Sequence, residues 1–264
     1  MGRMEARFRN ARATGRKLLV PYLTGGLGDW VAALHALVDA GADAVEVGVP
    51  FSDPVMDGPV IQAASQQALD DGATPRAIFD ALAGVEAGVP LVVMTYGNLA
   101  HASGWRRFAD ELARAGVDGA ILPDIPLDEI APWSEAADAA GVETVLLAAP
   151  TSGDERLRRI CERSHGFVYG VSLMGVTGER TSLSDHALTL GRRLRAVTDK
   201  PVLLGVGVST PEQAVEACAE ADGVVIGSAV VRRLLEDGRP DGAAAFLAEV
   251  RAALDAAHPV PATA

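Results

Sequence analysis

The chain has 264 residues, 49% of them hydrophobic, and a formal net charge of −12. This length allows one large domain or two small ones, and the acidic balance argues against binding to nucleic acid or to an anionic membrane. The sequence shows neither a secretory signal nor an apolar run long enough to span a bilayer, so we expect a cytoplasmic protein. Cys161 and Cys218 lie in helix-like segments and are expected to be free thiols.

The first 17 residues concentrate positive charge, with six basic side chains and one acidic side chain, Glu5. An Arg-rich targeting segment can have this composition. The segment runs into the first predicted strand almost without a linker, however. A short structural helix is therefore favoured over a targeting peptide.

Eight apolar, β-branched runs alternate with segments of helical spacing. Between the second and third runs, Gly72 and Pro75 divide the chain into two helices. Short parallel strands that are each followed by a helix favour a (β/α)8 TIM barrel, formed as a single domain from residues 1–264. We also expect a short N-terminal helix and an extra helix after strand 2. The runs cover residues 19–25, 44–50, 90–97, 119–126, 143–150, 167–173, 201–208 and 223–231.

An open doubly wound sheet is the alternative fold. Such a sheet more often has a Gly-rich turn after its first strand and an acidic residue after its second. The segment LTGGLGD resembles that turn only faintly. The barrel is therefore favoured.

An acidic residue interrupts the second apolar run, in the segment AVEVGVPFSDPVMDGPVIQ. Alternation places Val45, Val47 and Val49 towards the helices and Glu46 inside the barrel among small residues. Glu46 also lies near the carboxyl end of its strand, where barrel enzymes have their active sites. Burial should raise its pKa towards general acid–base use, and a structural hydrogen-bond network is the alternative.

Two more carboxylates follow in the loop after this strand. Asp57 has a more polar setting and is expected to stay ionised, which would let it and Glu46 perform separate proton-handling tasks. Asp53 precedes Pro54, and a turn-forming role is favoured for it over a catalytic one.

Glycines mark the ends of the last two predicted strands. Gly205 and Gly207 fall on one face at the end of strand 7, and Gly227 and Ser228 follow strand 8. Barrels of this kind commonly bind phosphate there, through backbone amides and a short helix N-terminus. Glycines that permit a bulge or tight packing are the alternative. The segment GVTGERTS after strand 6 is a candidate mobile lid.

Scarce lysines and scattered histidines narrow the possible chemistry. Lys17 precedes strand 1 and Lys200 precedes strand 7, so both lie at the non-catalytic end and neither can form a Schiff base with a substrate or with pyridoxal phosphate. The five histidines lack metal-ligand spacing, so we expect them to be solvated and expect no metal or cofactor. What remains is carbon–carbon cleavage or isomerisation catalysed by carboxylates alone. Such a reaction requires a substrate that can itself carry the charge that develops as bonds break.

Six segments occur in order at the expected strand ends, and together they resemble the α subunit of tryptophan synthase; the resemblance covers the chain from about Leu18 to Leu254. Members of that family cleave indole-3-glycerol phosphate to indole and glyceraldehyde 3-phosphate in a cofactor-free reverse aldol reaction. The resemblance further implies an α2β2 assembly in which a β subunit receives the indole. The segments are GVPFSDPVMDGPVIQ, MTYGN, PDIP, GFVYGVSLMGVTGER, GVGVST and ADGVVIGSA.

The resemblance also implies roles for individual residues. Glu46 would protonate C3 of the indole and assist deprotonation of the glycerol hydroxyl, while Asp57 would bind the indole N–H. Thr177 would steady Asp57 when the lid closes, and Asp53 would face the β subunit. The implied substrate pocket, whose members core packing would explain nearly as well, is lined by Tyr22, Tyr96, Ile121, Leu147 and Tyr169. The implied phosphate cradle consists of Gly178, Val206, Gly207, Gly227 and Ser228.

Two other functions remain open for a chain with these motifs. A stand-alone indole-3-glycerol phosphate lyase would release free indole without a partner. A phosphate-ligand-binding subunit would chiefly activate a β enzyme, although the presence of both Glu46 and Asp57 argues against that function. Other phosphate-binding barrels, such as isomerases or epimerases, would not explain the motif of strand 2.

Overall fold

The computed structural model describes residues 1–171 and 185–259, and within them eight parallel strands close into a barrel. Each strand pairs with the next, and the last pairs with the first through the register of Leu18 with Gly223. The closed order confirms the predicted (β/α)8 barrel and excludes the open sheet. The strands are β1 Leu18–Thr24, β2 Val45–Gly48, β3 Leu91–Met94, β4 Gly119–Ile121, β5 Glu143–Ala148, β6 Val168–Val171, β7 Val202–Gly205 and β8 Gly223–Ile226.

Twelve helices are present in the described part of the chain. The N-terminal helix and the pair of helices after the second strand are confirmed. A short fifth helix and the division of the last helical region in two were not predicted; positive φ angles at Gly104 and Gly238 mark these breaks. The helices are α1 Arg3–Ala13, α2 Trp30–Asp39, α3 Pro59–Asp70, α4 Pro75–Leu82, α5 Gly97–Ser103, α6 Trp105–Arg114, α7 Ala131–Ala140, α8 Asp154–Arg163, α9 Asp185–Arg195, α10 Pro211–Glu220, α11 Ser228–Asp237 and α12 Asp241–Ala257.

The predicted extent of strand 8 was wrong at its carboxyl end. The apolar run continues through residues 223–231, but β8 ends at Ile226 and α11 begins at Ser228. The run persists because Ala229, Val230 and Val231 form the buried face of α11. A short apolar run does not distinguish a buried strand from the buried start of a helix.

The core has an outer layer between the strands and the helices, an inner layer inside the barrel, and a third, smaller cluster that contains Tyr22. Val45, Val47 and Val49 are buried in the outer layer, as their alternation predicted. Ala44 is buried in the inner layer. Glu46 shares the side of β2 on which Ala44 lies, because side chains alternate along a strand.

Helix α1 closes the amino-terminal end of the barrel. Its Met4 and Phe8 are fully buried within the inner layer, and the Phe8 ring lies 5.9 Å from that of Phe167. The Glu143 carboxylate accepts hydrogen bonds from the backbone N–H groups of Met4 (2.9 Å) and Glu5 (3.1 Å) at the start of α1. The basic N-terminal segment thus contains the predicted structural helix.

Both lysines lie at the amino-terminal end of the barrel, as predicted, and both bind backbone carbonyl groups. Lys200 Nζ donates to the carbonyl oxygens of Cys161, Glu162 and Ser164 at the end of α8. Lys17 Nζ donates to the carbonyl oxygen of Ala221 after α10, at 2.8 Å. These ammonium groups satisfy carbonyls that a helix leaves unpaired at its C-terminus.

The two cysteines are free and buried, as expected from their helical segments. Burial raises the pKa of the Cys161 thiol to about 11 and that of the Cys218 thiol to about 12. Across residues 1–171 and 185–259, no helix is long and apolar enough to cross a membrane.

Candidate active site

Glu46 is the buried acid at the carboxyl-terminal half of the barrel. Its side chain is 1% exposed, and its Oε2 atom has no hydrogen-bond partner among the described residues. Burial, with a further contribution from the charge of Asp57, raises the pKa of Glu46 to about 8. The upward shift confirms the sequence prediction, and Glu46 is therefore predominantly protonated at neutral pH.

Two glycines give aromatic side chains room beside Glu46. A Cβ atom at Gly48 would overlap the hydroxyl of Tyr22, and a Cβ atom at Gly205 would overlap the ring of Tyr169. Both tyrosines therefore lie over the backbone of a neighbouring strand and point into the barrel. The sequence left two explanations for the glycines at the strand ends, phosphate binding and tight packing. At Gly205 the structure shows tight packing, against the ring of Tyr169.

Asp57 lies in the loop between β2 and α3, where a tyrosine hydroxyl holds it. Tyr96 Oη donates to Asp57 Oδ2 at 3.1 Å and accepts from the Met56 backbone N–H at 3.0 Å. The Tyr96 ring also stacks on Phe51, with 4.8 Å between centroids. Tyr96 thus joins the loop after β2 to the loop after β3.

The electrostatic setting of Asp57 differs from the one predicted. We expected a polar environment that leaves this carboxyl ionised, but burial raises the pKa of Asp57, and the hydrogen bond from Tyr96 opposes that rise. Asp57 is nevertheless half-buried, whereas Glu46 is almost fully enclosed. The contrast between the two carboxyl groups is real but smaller than the sequence suggested.

Removing the Tyr96 hydroxyl isolates its effect on Asp57. In Tyr96→Phe we expect kcat to fall roughly tenfold, because one hydrogen bond to a charged group and one to the loop backbone are lost. The acidic limb of the kcat–pH profile should move to higher pH, since the bond that lowers the pKa of Asp57 is gone. Steady-state rates measured across pH test both effects. An acidic limb that does not move would contradict the influence of this hydrogen bond on the pKa of Asp57.

The chain has only three tyrosines, and all three lie at this site. Tyr22 and Tyr169 lie inside the barrel and Tyr96 lies at its rim, and their contact with a substrate stays a prediction. Leu147 packs half-buried against the inner layer, near the space the tyrosines surround. Ile121 is fully buried within that layer, so its contact with a ligand is not evident from burial alone.

The opposite side of the barrel mouth presents backbone amides. Ser228 is the first residue of α11, and no side chain caps this helix within the part of the chain that the structure describes. Gly207 lies beyond β7 with a φ of 78°, so it does not share a strand face with Gly205 as predicted. Gly207 and Ser228 are exposed while Val206 and Gly227 are half-buried, an arrangement compatible with a surface-accessible anion site at a helix N-terminus.

Several predicted features lie outside this site or outside the residues that the structure describes. Thr177 and Gly178, together with the candidate lid that holds them, lie outside the described residues. No group of three or more His, Cys, Asp or Glu side chains in residues 1–171 and 185–259 could hold a metal ion. Of the histidines, expected to be solvated, three are exposed, but His165 and His258 are half-buried.

Sequence reasoning missed the polar contacts that position the loops. It treated Tyr96 only as a wall of the pocket, although this residue binds Asp57 and Met56. It gave Asp124 no role, yet Asp124 Oδ1 accepts from the Gly97 backbone N–H at 2.8 Å, at the start of α5. The segments MTYGN and PDIP were noted as motifs, but nothing in their spacing indicated which partners they would bind.

Comparison with known proteins identifies relatives along nearly the whole chain. The family model of the tryptophan synthase alpha chain matches residues 8–257. A tryptophan synthase alpha chain from Streptomyces avermitilis is 47% identical over 247 residues, covering 92% of this chain and 88% of the relative. One from Streptomyces coelicolor is 48% identical over 239 residues, covering 89% and 88% respectively.

Solved structures give the same result. A chain of Mycobacterium tuberculosis tryptophan synthase superposes with a TM-score of 0.89 at 42% identity, covering 96% of this chain and 98% of that one. The alpha subunit from Legionella pneumophila superposes with a TM-score of 0.88 at 31% identity, covering 97% and 99%. The fold and the sequence therefore match the same set of proteins.

Proposed function

Because the chain belongs to the tryptophan synthase alpha chain family, we propose that Glu46 and Asp57 carry out the family reaction. That reaction is the cleavage of indole-3-glycerol phosphate to indole and glyceraldehyde 3-phosphate. The observation that carries the assignment is the enclosed Glu46 carboxyl, whose pKa is about 8 and whose Oε2 atom has no partner in the described structure. A protonated carboxyl in such a place is available to act as a general acid.

Glu46 acts twice in the proposed sequence. Its carboxyl proton passes to C3 of the indole, and the positive charge that results is carried by the ring nitrogen. The Glu46 carboxylate then accepts the proton of the glycerol hydroxyl. The C–C bond to the ring breaks, the hydroxyl carbon becomes the aldehyde of glyceraldehyde 3-phosphate, and the bonding electrons return to the ring as indole.

Asp57 stabilises the cationic intermediate. Its carboxylate accepts a hydrogen bond from the indole N–H and faces the charge that develops when C3 is protonated. The Tyr96 hydroxyl keeps this carboxylate oriented and favours its ionised form. The protonated Glu46 therefore supplies the proton, and the ionised Asp57 stabilises the positive charge.

The phosphate group is assigned to the N-terminus of α11 and the loop after β7. Backbone amides and the positive end of the helix dipole favour a dianion there. The proposed contacts come from Val206, Gly207, Gly227 and Ser228. Thr177 and Gly178 complete the proposed site by resemblance alone.

A charge introduced at the start of α11 tests the phosphate assignment. In Ser228→Asp we expect KM for indole-3-glycerol phosphate to rise by about tenfold or more with a small change in kcat, because the carboxylate repels the substrate phosphate. An acidic side chain suits a helix N-terminus, so folding should not suffer. Ser228→Ala serves as the control and should change KM much less. Equal KM values for the Asp and Ala variants would place the phosphate elsewhere.

The chain acts with a β subunit, to which the indole is passed, and the loop after β2 is the proposed contact surface. Val55 in this loop is 71% exposed, one of two large apolar side chains so exposed in the described structure. Asp53 lies beside it and is also exposed. The partnered enzyme is favoured over the stand-alone lyase by family membership, since a single exposed apolar side chain is common on protein surfaces.

Cleavage with and without the partner tests the function as a whole. The assay follows glyceraldehyde 3-phosphate release from indole-3-glycerol phosphate by the purified chain, alone and with a cognate β subunit. We expect slow cleavage that increases sharply when the β subunit is added. Fast cleavage that the β subunit leaves unchanged would support a stand-alone lyase.

A cytoplasmic location is proposed from the family's biosynthetic role.

A further inference from the structure

Tyr22 lies next to Glu46 in the sheet. The Cα atoms of Tyr22 and Glu46 are partners in the parallel pairing of β1 with β2. Tyr22 is 8% exposed, and its hydroxyl occupies the space that a Cβ atom at Gly48 would fill. On its other side, the Cβ atom of Tyr22 would lie 3.7 Å from a Cβ atom built on Gly227. The ring is thus held between β2 and β8, with its hydroxyl towards β2.

The phenol keeps its proton in this place. Burial raises the pKa of Tyr22, and the charge of Asp57 raises it further; a side-chain hydrogen bond with Thr24 lowers it by less than Asp57 raises it, and the charge of Glu46 adds a smaller rise. The hydroxyl is therefore a hydrogen-bond donor at every pH at which the protein would be assayed. It also lies within electrostatic reach of both catalytic carboxyl groups.

Glu46 needs such a donor during the reaction and not before it. Once its proton has moved to C3, a carboxylate is left in a dry enclosure, where an unpaired charge is costly. The titratable groups that face it are Asp57 from the loop after β2, Tyr22 from β1 and Tyr169 from β6. The hydroxyl of Tyr96 already binds Asp57 and Met56.

We propose that the Tyr22 hydroxyl is a positioning group that donates a hydrogen bond to the Glu46 carboxylate formed when C3 of the indole is protonated. The inference rests on the proposed acid–base role of Glu46. Tyr22 transfers no proton: the proton that reaches C3 comes from Glu46, and the Tyr22 O–H turns to the oxygen that has become charged. A contact that forms only as charge develops accelerates the chemical step without tightening substrate binding.

Tyr22 and Tyr169 approach Glu46 from different strands. Neighbouring parallel strands lie about 5 Å apart, so a side chain on the partner position of Glu46 reaches it directly. Tyr169 projects from β6, which is not hydrogen-bonded to β2, and its ring packs over Gly205 on β7. Tyr169 thus approaches Glu46 from across the barrel, where burial and then the charge of Glu46 raise the pKa of its hydroxyl, whereas Tyr22 approaches Glu46 from the neighbouring strand.

The test is the variant Tyr22→Phe, which keeps the ring and removes only the hydroxyl. We expect kcat for cleavage to fall roughly tenfold with KM nearly unchanged, which corresponds to the loss of one hydrogen bond to a charged group. The basic limb of the kcat–pH profile should move to higher pH, because the ionised form of Glu46 loses a donor and its pKa rises. A residue that merely fills the pocket would affect neither quantity.

Two further variants separate the possible outcomes. Ser134→Ala removes a buried hydroxyl on α7, distant from the site, that donates to the Ala131 carbonyl at 3.1 Å; it should leave kcat and its pH profile unchanged.

Glu46→Gln tests the acid itself. If Glu46→Gln is inactive while Tyr22→Phe matches the wild type, the inference about Tyr22 fails and the function stands. A rise in KM alone, or a lower kcat with an unmoved basic limb, would also overturn it. Cleavage that survives Glu46→Gln would overturn the proposed function itself.

Discussion

Glu46→Gln should abolish cleavage of indole-3-glycerol phosphate, with kcat expected to fall by about 10²–10⁴-fold, the usual contribution of general acid–base catalysis. Glutamine has nearly the same shape as the protonated glutamic acid but cannot donate a proton to C3 or accept one from the glycerol hydroxyl. Substrate binding should change little, because the phosphate and indole contacts come from other residues. Product release in single-turnover experiments, together with the Kd of the substrate, measures the two effects separately.

The same variant should be more stable than the wild type, by an amount that depends on pH. Folding raises the pKa of Glu46 from 4.5 to about 8, so the folded chain holds a proton that the unfolded chain releases. The wild type therefore loses stability relative to Glu46→Gln as pH rises from about 4.5 to about 8, by up to about 5 kcal/mol. Denaturant unfolding at several pH values measures this difference, and a constant difference across that window would contradict the raised pKa.

Asp57→Asn should lower kcat by about 100-fold, since it removes the negative charge that faces the indole cation. The asparagine oxygen can still accept the hydrogen bond from Tyr96, so the loop after β2 should keep its conformation. This substitution therefore separates the charge of Asp57 from its role in loop structure. The measurement is kcat for cleavage in the presence of the β subunit.

A second effect of Asp57→Asn has a defined sign. The charge of Asp57 contributes to the raised pKa of Glu46, so its removal should lower that pKa and move the basic limb of the kcat–pH profile to lower pH. Tyr22→Phe is expected to move the same limb in the opposite direction. If both variants moved it the same way, the electrostatic description of the site would be incorrect.

The sequence was sufficient to predict the barrel and its acid, because both depend on local periodicity. Alternation with a period of two residues places Val45 and Val47 outside and Glu46 inside, and the structure agrees. Repeated strand-then-helix units leave few topologies that bury both faces of a parallel sheet. The raised pKa of Glu46 follows from the same placement.

Contacts between loops could not be predicted in this way. The hydrogen bond from Tyr96 to Asp57 joins residues 39 positions apart and depends on the conformation of two loops, which no periodic pattern specifies. The burial of Asp57 also depends on that packing, so the sequence predicted a polar setting and not the burial that raises the pKa of this carboxyl. The start of α11 at Ser228 was missed because the apolar run does not change at the boundary.

Helix α1 closes the amino-terminal end of the barrel, because its side chains pack against the inner layer. Met4 and Phe8 close the floor, and the rings of Phe167 and Tyr169, 5.7 Å apart, continue the packing upward to the reaction centre. Ligands therefore reach Glu46 from the opening at the carboxyl-terminal end of the barrel, which the loop after β2 borders. A partner docked at that opening is in a position to receive the indole before bulk water does.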